Sequence, residues 1–194
     1  NISVAIHDKN AEQPIVRNLL SVGWPISTET IEYLILGIKA DFDLVRIQDE
    51  KSLHRYCYMV AGTVGLMMCE VLEVKDHRAY PHAIDLGIAM QMTNIARDVI
   101  EDAKNNRRYL PASWVGSIEP DSIVNPGTEN LEKIRHGVRR ILMEAEKRYA
   151  SGEEGLALLP LRSRFAIFLA AQLYREIGNI MLMNDSSVWH GRTI

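Results

Sequence analysis

The chain has 194 residues, of which 47% are hydrophobic and 24% charged, with 12 Gly and 7 Pro. That composition excludes disordered, collagenous and low-complexity classes and supports one domain with a sizeable core. With 22 Lys and Arg against 25 Asp and Glu, the formal charge is −3, so no broad cationic surface for nucleic acid is expected.

Helical spacing recurs along the whole chain and strand-like alternation is nearly absent, which predicts an all-α single domain. Ile31, Leu34, Ile35 and Ile38 mark a first amphipathic helix, with Ser27 or Thr28 as N-cap and Glu29 in its first turn. A second helix is expected from about Asp49 to Val74 and a third from about Pro81 to Lys104. Residues 116–130, with Pro120, Pro126 and Gly127, read as a loop. Beyond it Leu131, Ile134, Val138, Ile141, Leu142, Ala145 and Tyr149 form an apolar stripe, and Lys133, Arg135, Arg139, Arg140, Lys147 and Arg148 read as its solvated face. A final helix is expected over 163–184.

Cys57 and Cys69, the only cysteines, lie in an apolar run and read as buried reduced thiols, which favours the cytoplasm. The longest uncharged run, Tyr56 to Cys69, has 14 residues. A spanning helix needs roughly 20. Asn1 to Lys9 lacks the basic start and apolar core of an export signal. The six histidines show no metal-ligand spacing and read as structural or exposed.

Gln91, Asn94, Asp98 and Asp102 interrupt an otherwise apolar helix. At 100° per residue they fall within about 80° of one another, as a single polar line. One account is that the helix emerges at the surface near its end, where Glu101, Lys104, Arg107 and Arg108 are solvated. The other is a polar cavity, because Gln91 and Asn94 extend the line two turns inward and unpaired buried carboxylates are costly. Oxygen ligands from Asp98, Asp102 and Asn94 suit Mg²⁺, which takes one or two carboxylates plus phosphate oxygens and water.

On the second helix Tyr56, Val60, Thr63 and Met67 share one face, and Gly62 and Gly65 each cost about 1 kcal/mol relative to Ala. Close helix packing compensates that cost; so does a kink that opens a lipid-sized cavity.

Four segments carry a resemblance: Y-C-Y-M-V-A-G-T-V-G from Tyr56, Q-M-T-N-I-A-R-D-V-I-E-D-A from Gln91 continuing to R-R-Y-L-P-A-S-W, G-L-A-L-L-P-L-R-S from Gly155, and L-Y-R-E-I-G from Leu173. On them the chain resembles the squalene and phytoene synthase family, most closely the bacterial phytoene synthases. The resemblance implies an isoprenoid-synthase helical bundle around a central apolar cavity. It implies head-to-head condensation of two geranylgeranyl diphosphates to phytoene through a cyclopropyl diphosphate, with release of diphosphate.

Carried over to this sequence, it makes Tyr56, Asp98 and Asp102 catalytic, with Asp98, Asp102 and Asn94 holding Mg²⁺, or Mn²⁺ in its place. Val60, Val64, Gly65, Met68, Gln91, Asn94, Arg97, Tyr174 and Arg192 would bind substrate. Apolar side chains such as Val60, Val64 and Met67 would keep the cation's pocket dry, and the Tyr56 ring would face the cation. No NADPH is expected. The family's first aspartate-rich motif is not matched, and Asp41, Asp43 and Asp49 fall where the family has a surface turn, so they read as a solvated loop. Residues 1–194 are thus expected to be the central and C-terminal part of one synthase domain. Oily substrates make transient contact with the inner membrane face an expectation. The rival readings are a squalene- or dehydrosqualene-type synthase using farnesyl diphosphate, and a catalytically silent assembly factor.

Overall fold

The computed structural model describes residues 14, 17 and 27–183. Among them are nine α-helices and no strand, as the periodicity predicted. The helices are α1 (Thr28–Ala40), α2 (Glu50–Cys57), α3 (Thr63–Val71), α4 (Ala79–Arg97), α5 (Val99–Lys104), α6 (Ala112–Val115), α7 (Pro120–Val124), α8 (Thr128–Gly155) and α9 (Leu161–Met183). No helix among the described residues is long and apolar enough to cross a membrane.

The expected second helix is present but not uniform. Asp49 caps α2 by accepting from the Ser52 N–H at 2.7 Å, and a π turn over Tyr58–Gly62 joins α2 to α3. The Thr63 N–H reaches back five residues to the Tyr58 carbonyl, and the Thr63 hydroxyl donates to Met59 O at 2.8 Å, the acceptor an ordinary turn would pair with that N–H. The extra residue changes which side chains face inward. Thr63 is fully buried in packing, and Met68 faces the cavity described below as expected, whereas Met67 does not line it.

The third helix begins at Ala79 and is interrupted at Asp98, where φ is −100° and ψ 13°, before continuing as α5. Hydrogen bonds from Asp98 N to Asn94 O and from Asp102 N to Asp98 O, both 2.8 Å, keep the two pieces in helical register. The polar line therefore survives the interruption. The expected loop over 116–130 contains α7, started by Pro120 at its first position, where a missing N–H is tolerated.

Helix α4 is the centre of the fold, with α3 and the π turn against it on one side and α8 and α9 also packed on it. The α8 stripe from Ile134 to Tyr149 is buried as expected, and the Tyr149 hydroxyl meets Thr93 of α4 at 3.0 Å, a buried polar pair satisfied across the interface. On the α3 side a Cβ at Gly65 would stand 2.1 Å from Ala83 O, and one at Gly87 would stand 2.3 Å from Ala61 O. These glycines let two backbones touch. Close packing thus accounts for Gly65, while the π turn and a cavity beside it coexist with that packing.

Two expectations about charge are corrected. Arg108 is 3% exposed and donates to the carbonyls of Ile47 and Leu110 at 2.9 and 2.6 Å. Arg148, expected on the solvated face, is half-buried and pairs with Asp85 at 2.9 Å. Arg108 also belongs to a clamp between two loops: Ile47 N donates to Arg108 O and Arg108 N to Val45 O, at 3.1 and 3.0 Å.

Candidate functional site

Two adjoining spaces lie along α4. The first is an apolar cavity of about 360 Å³, lined by Val60, Val64, Gly65 and Met68 from the π turn and α3. The α4 residues Leu86, Met90, Gln91 and Asn94, and Tyr174 of α9, complete much of its wall. His82 also lines this cavity, with Nδ1 3.1 Å from Ser151 Oγ, so it is neither purely internal packing nor a surface residue. Cys57 and Cys69 are both free and buried, and Cys69 belongs to the cavity wall.

The second is a polar basin of about 240 Å³, lined by Tyr56, Gln91, Asn94, Ile95, Arg97, Asp98, Asp102 and Tyr109. Gln91 and Asn94 border both spaces. An apolar cavity thus adjoins a carboxylate-lined basin, and the polar line borders that basin, in favour of the cavity account. The predicted site residues from Tyr56 to Tyr174 all border one of these two spaces; Arg192 lies outside the described residues.

Arg97 forks onto Asp98 through two bonds of 2.8 and 2.7 Å, and this contact first, with Tyr174 contributing less, raises the Arg97 pKa. Asp102 has no comparable partner. Burial, then the charge of Asp98, pushes its pKa up to about 6, against the pull of Arg107. Asn94 borders both spaces, and its Oδ1 is buried without a hydrogen-bond partner. Two carboxylates one turn apart, with an unpartnered amide oxygen one turn further back on the same helical line, are a donor set of the kind Mg²⁺ takes, so these residues fit the divalent ion used by the family described below.

Asp41 departs from expectation. It is not a solvated loop residue: Oδ2 accepts from the Tyr56 hydroxyl at 3.1 Å and Oδ1 from the Tyr109 hydroxyl at 2.7 Å. The two rings are tilted against one another, with centroids 4.9 Å apart. Burial raises the pKa of both phenols. Tyr109 lies within the R-R-Y-L-P phrase, which was the available signal for it; Asp41 is remote in sequence from both partners and had none.

A second metal-compatible group, Glu50, His54 and Glu144, has ligand atoms within 4.8 Å of one another. Its charges are already answered. Arg140 pairs with Glu50 at 2.9 Å, Lys147 with Glu144 at 2.6 Å, and Arg148 stands 3.3 Å from His54 Nδ1.

The squalene/phytoene synthase profile matches residues 2–193. The chain is 41% identical over 160 residues to a 15-cis-phytoene synthase of Enterobacter agglomerans, covering 81% of this chain and 54% of that protein. It is 45% identical over 140 residues to one of Pantoea ananas, covering 71% and 45%. It spans about half the length of these curated relatives. A dehydrosqualene synthase crystal structure superposes with a TM-score of 0.73 at 28% identity, covering 93% of this chain and 66% of that one. A squalene synthase from Alicyclobacillus acidocaldarius shares the fold, with a TM-score of 0.80 at 18% identity over 93% of this chain and 70% of that one. Profile, relatives and fold agree with the joined apolar and carboxylate spaces, and the chain belongs to the squalene/phytoene synthase family.

Proposed function

We propose that this chain forms the substrate cavity and one metal-binding wall of a phytoene synthase, a head-to-head prenyltransferase acting on two geranylgeranyl diphosphates. The observation that carries the reading is the junction at Gln91 and Asn94, where the apolar cavity meets the basin of Asp98 and Asp102. A prenyl diphosphate has the same two-part chemistry: a long hydrocarbon and a strongly anionic head.

The length of the cavity is sufficient for a C20 chain. On α4 its lining runs Ala79, His82, Ala83, Leu86, Gly87, Met90, Gln91, Asn94. That stripe extends over about 22 Å at the helical rise. An extended isoprene unit advances about 5 Å at ordinary bond lengths, so four units need about 20 Å and three about 15 Å. Identity of 41% and 45% to phytoene synthases, against 28% to the dehydrosqualene synthase, favours the same choice.

In this reading Asp98, Asp102 and Asn94 hold Mg²⁺, which supplies charge neutralisation for the departing diphosphate. Arg97, held by Asp98, adds fixed positive charge at the basin. Val60, Val64 and Met68 keep water from the allylic cation, and the Tyr56 ring offers it an electron-rich face.

Incubating the complete gene product with Mg²⁺ and either geranylgeranyl or farnesyl diphosphate tests the proposal. A C40 product formed without reductant is expected. A C30 product alone would replace this reading with a squalene-type synthase, and no product from either substrate would favour a non-catalytic member of the family.

A further inference from the structure

Asp41 ends α1, its N–H bonded to Ile38 O at 3.2 Å, and it is partly buried although its neighbours Phe42 and Asp43 are exposed. Its backbone is held independently of its side chain: Arg107 donates to Asp41 O at 3.0 Å, and the clamp between residues 45–48 and 108–113 follows within a few residues. The carboxylate is therefore presented at a defined place, where it receives both phenol hydroxyls. Tyr56 and Tyr109 are 7% and 6% exposed and come from helix and loop segments far apart in the chain. Asp41 is the group that ties the two hydroxyls together across that separation.

We propose that Asp41 is a positioning residue for the reaction proposed above, holding Tyr56 and Tyr109 as a rigid pair at the wall of the polar basin. The inference rests on that reading for its chemistry but on the Asp41 bonds for its geometry. A phenol has a single O–H to donate; both hydroxyls reach Asp41, and the two phenols also lie within hydrogen-bonding reach of one another. Both tyrosines line the basin, so with their hydroxyls held by Asp41 the pair contributes aromatic ring surface to its wall. Such a wall attracts a carbocation without offering it a proton donor of its own, and rings that cannot rotate leave less room for water. Desolvation keeps both phenols neutral, so no phenoxide is available to capture the cation.

The test compares Asp41→Ala, Asp41→Asn, Tyr109→Phe and the double variant Asp41→Ala/Tyr109→Phe in the complete gene product. For Asp41→Ala, kcat is expected to fall about 10–100-fold, while KM for the prenyl diphosphate and the half-saturating Mg²⁺ concentration stay within about threefold. Water-quenched prenyl alcohol should rise as a fraction of product. Asp41→Asn keeps one acceptor oxygen and should recover part of the lost rate. The double variant should be no slower than the slower single one, because both break the same unit.

An unchanged kcat, a loss confined to KM or to Mg²⁺ demand, or additive losses would overturn the proposal. Near-ultraviolet circular dichroism reads the ring pair directly, with melting temperature as the check on folding. Asp41→Ala and Tyr109→Phe should both weaken the tyrosine signal in a folded protein, and an unaltered signal in folded Asp41→Ala would also overturn it. If the parent turns over no prenyl diphosphate, the proposed function fails and this optical readout still decides the role of Asp41.

Discussion

Two clusters of carboxylates in this molecule have opposite electrostatic outcomes. At Glu50, His54 and Glu144 every negative charge has a cation within reach, from Arg140, Lys147 and Arg148. Around Asp98 and Asp102 one fork from Arg97 serves Asp98, while Asp102 is left with its pKa at about 6 and Asn94 Oδ1 has no partner. Carboxylate proximity alone does not define a metal site. Uncompensated charge in a partly buried place is the better candidate, because a bound cation, or a proton, would relieve it.

The largest effect that would break this comparison is catalytic. Asp102→Asn in the complete gene product should lower prenyl transfer about 10²–10³-fold, as loss of charge stabilisation at a leaving group does. Glu144→Gln should stay within about threefold. Equal losses in the two variants would erase the distinction. Next in size is the response to ligand. Mg²⁺ with inorganic pyrophosphate, at about 100 times its dissociation constant, should add about 2.7 kcal/mol and raise the melting temperature by roughly 5–10 °C. Differential scanning calorimetry should show that shift lost in Asp98→Asn and kept in Glu50→Gln.

A smaller and opposite effect sharpens the contrast in metal-free protein. The folded pKa of Asp102 lies above its ordinary value of 3.8, so the folded state binds the proton more tightly and stability falls as pH rises from about 4 to about 6. Asp102→Asn should therefore stabilise the metal-free protein by about 1 kcal/mol above pH 6, after allowance for solvent screening, and by nothing below pH 4. Urea titrations at the two pH values measure the difference. The smallest effect belongs to His54, whose pKa is lowered first by burial and then by Arg148. Below its ordinary value of 6.5 the unfolded chain binds the extra proton, so stability is full above that pH and declines as pH falls through it. His54→Gln should flatten this slope, by less than about 1 kcal/mol.

Much of the candidate site was legible because its signals are local. Gln91, Asn94, Asp98 and Asp102 lie on one turn-by-turn line, and helical rotation places such a line on one face even across the break at Asp98. The α8 stripe was legible for the same reason. The π turn was not, since an apolar run has the same composition in either winding, and Met67, expected beside Met68 in the cavity wall, is absent from it. Arg108 and Arg148 were misplaced because a cation's burial depends on acceptors it meets across the fold, Ile47 O and Asp85 here.

By itself, then, the sequence determined the all-α class, the main helices, the polar line on α4 and α5, and the family. Each follows from residue spacing within a helix or from motifs of contiguous residues. Only the tertiary structure decided that the line borders a cavity, that Asp41 gathers Tyr56 and Tyr109, and which carboxylates are left uncompensated. The physical reason is that burial and charge balance are sums over neighbours supplied by distant segments, and no local pattern contains those neighbours.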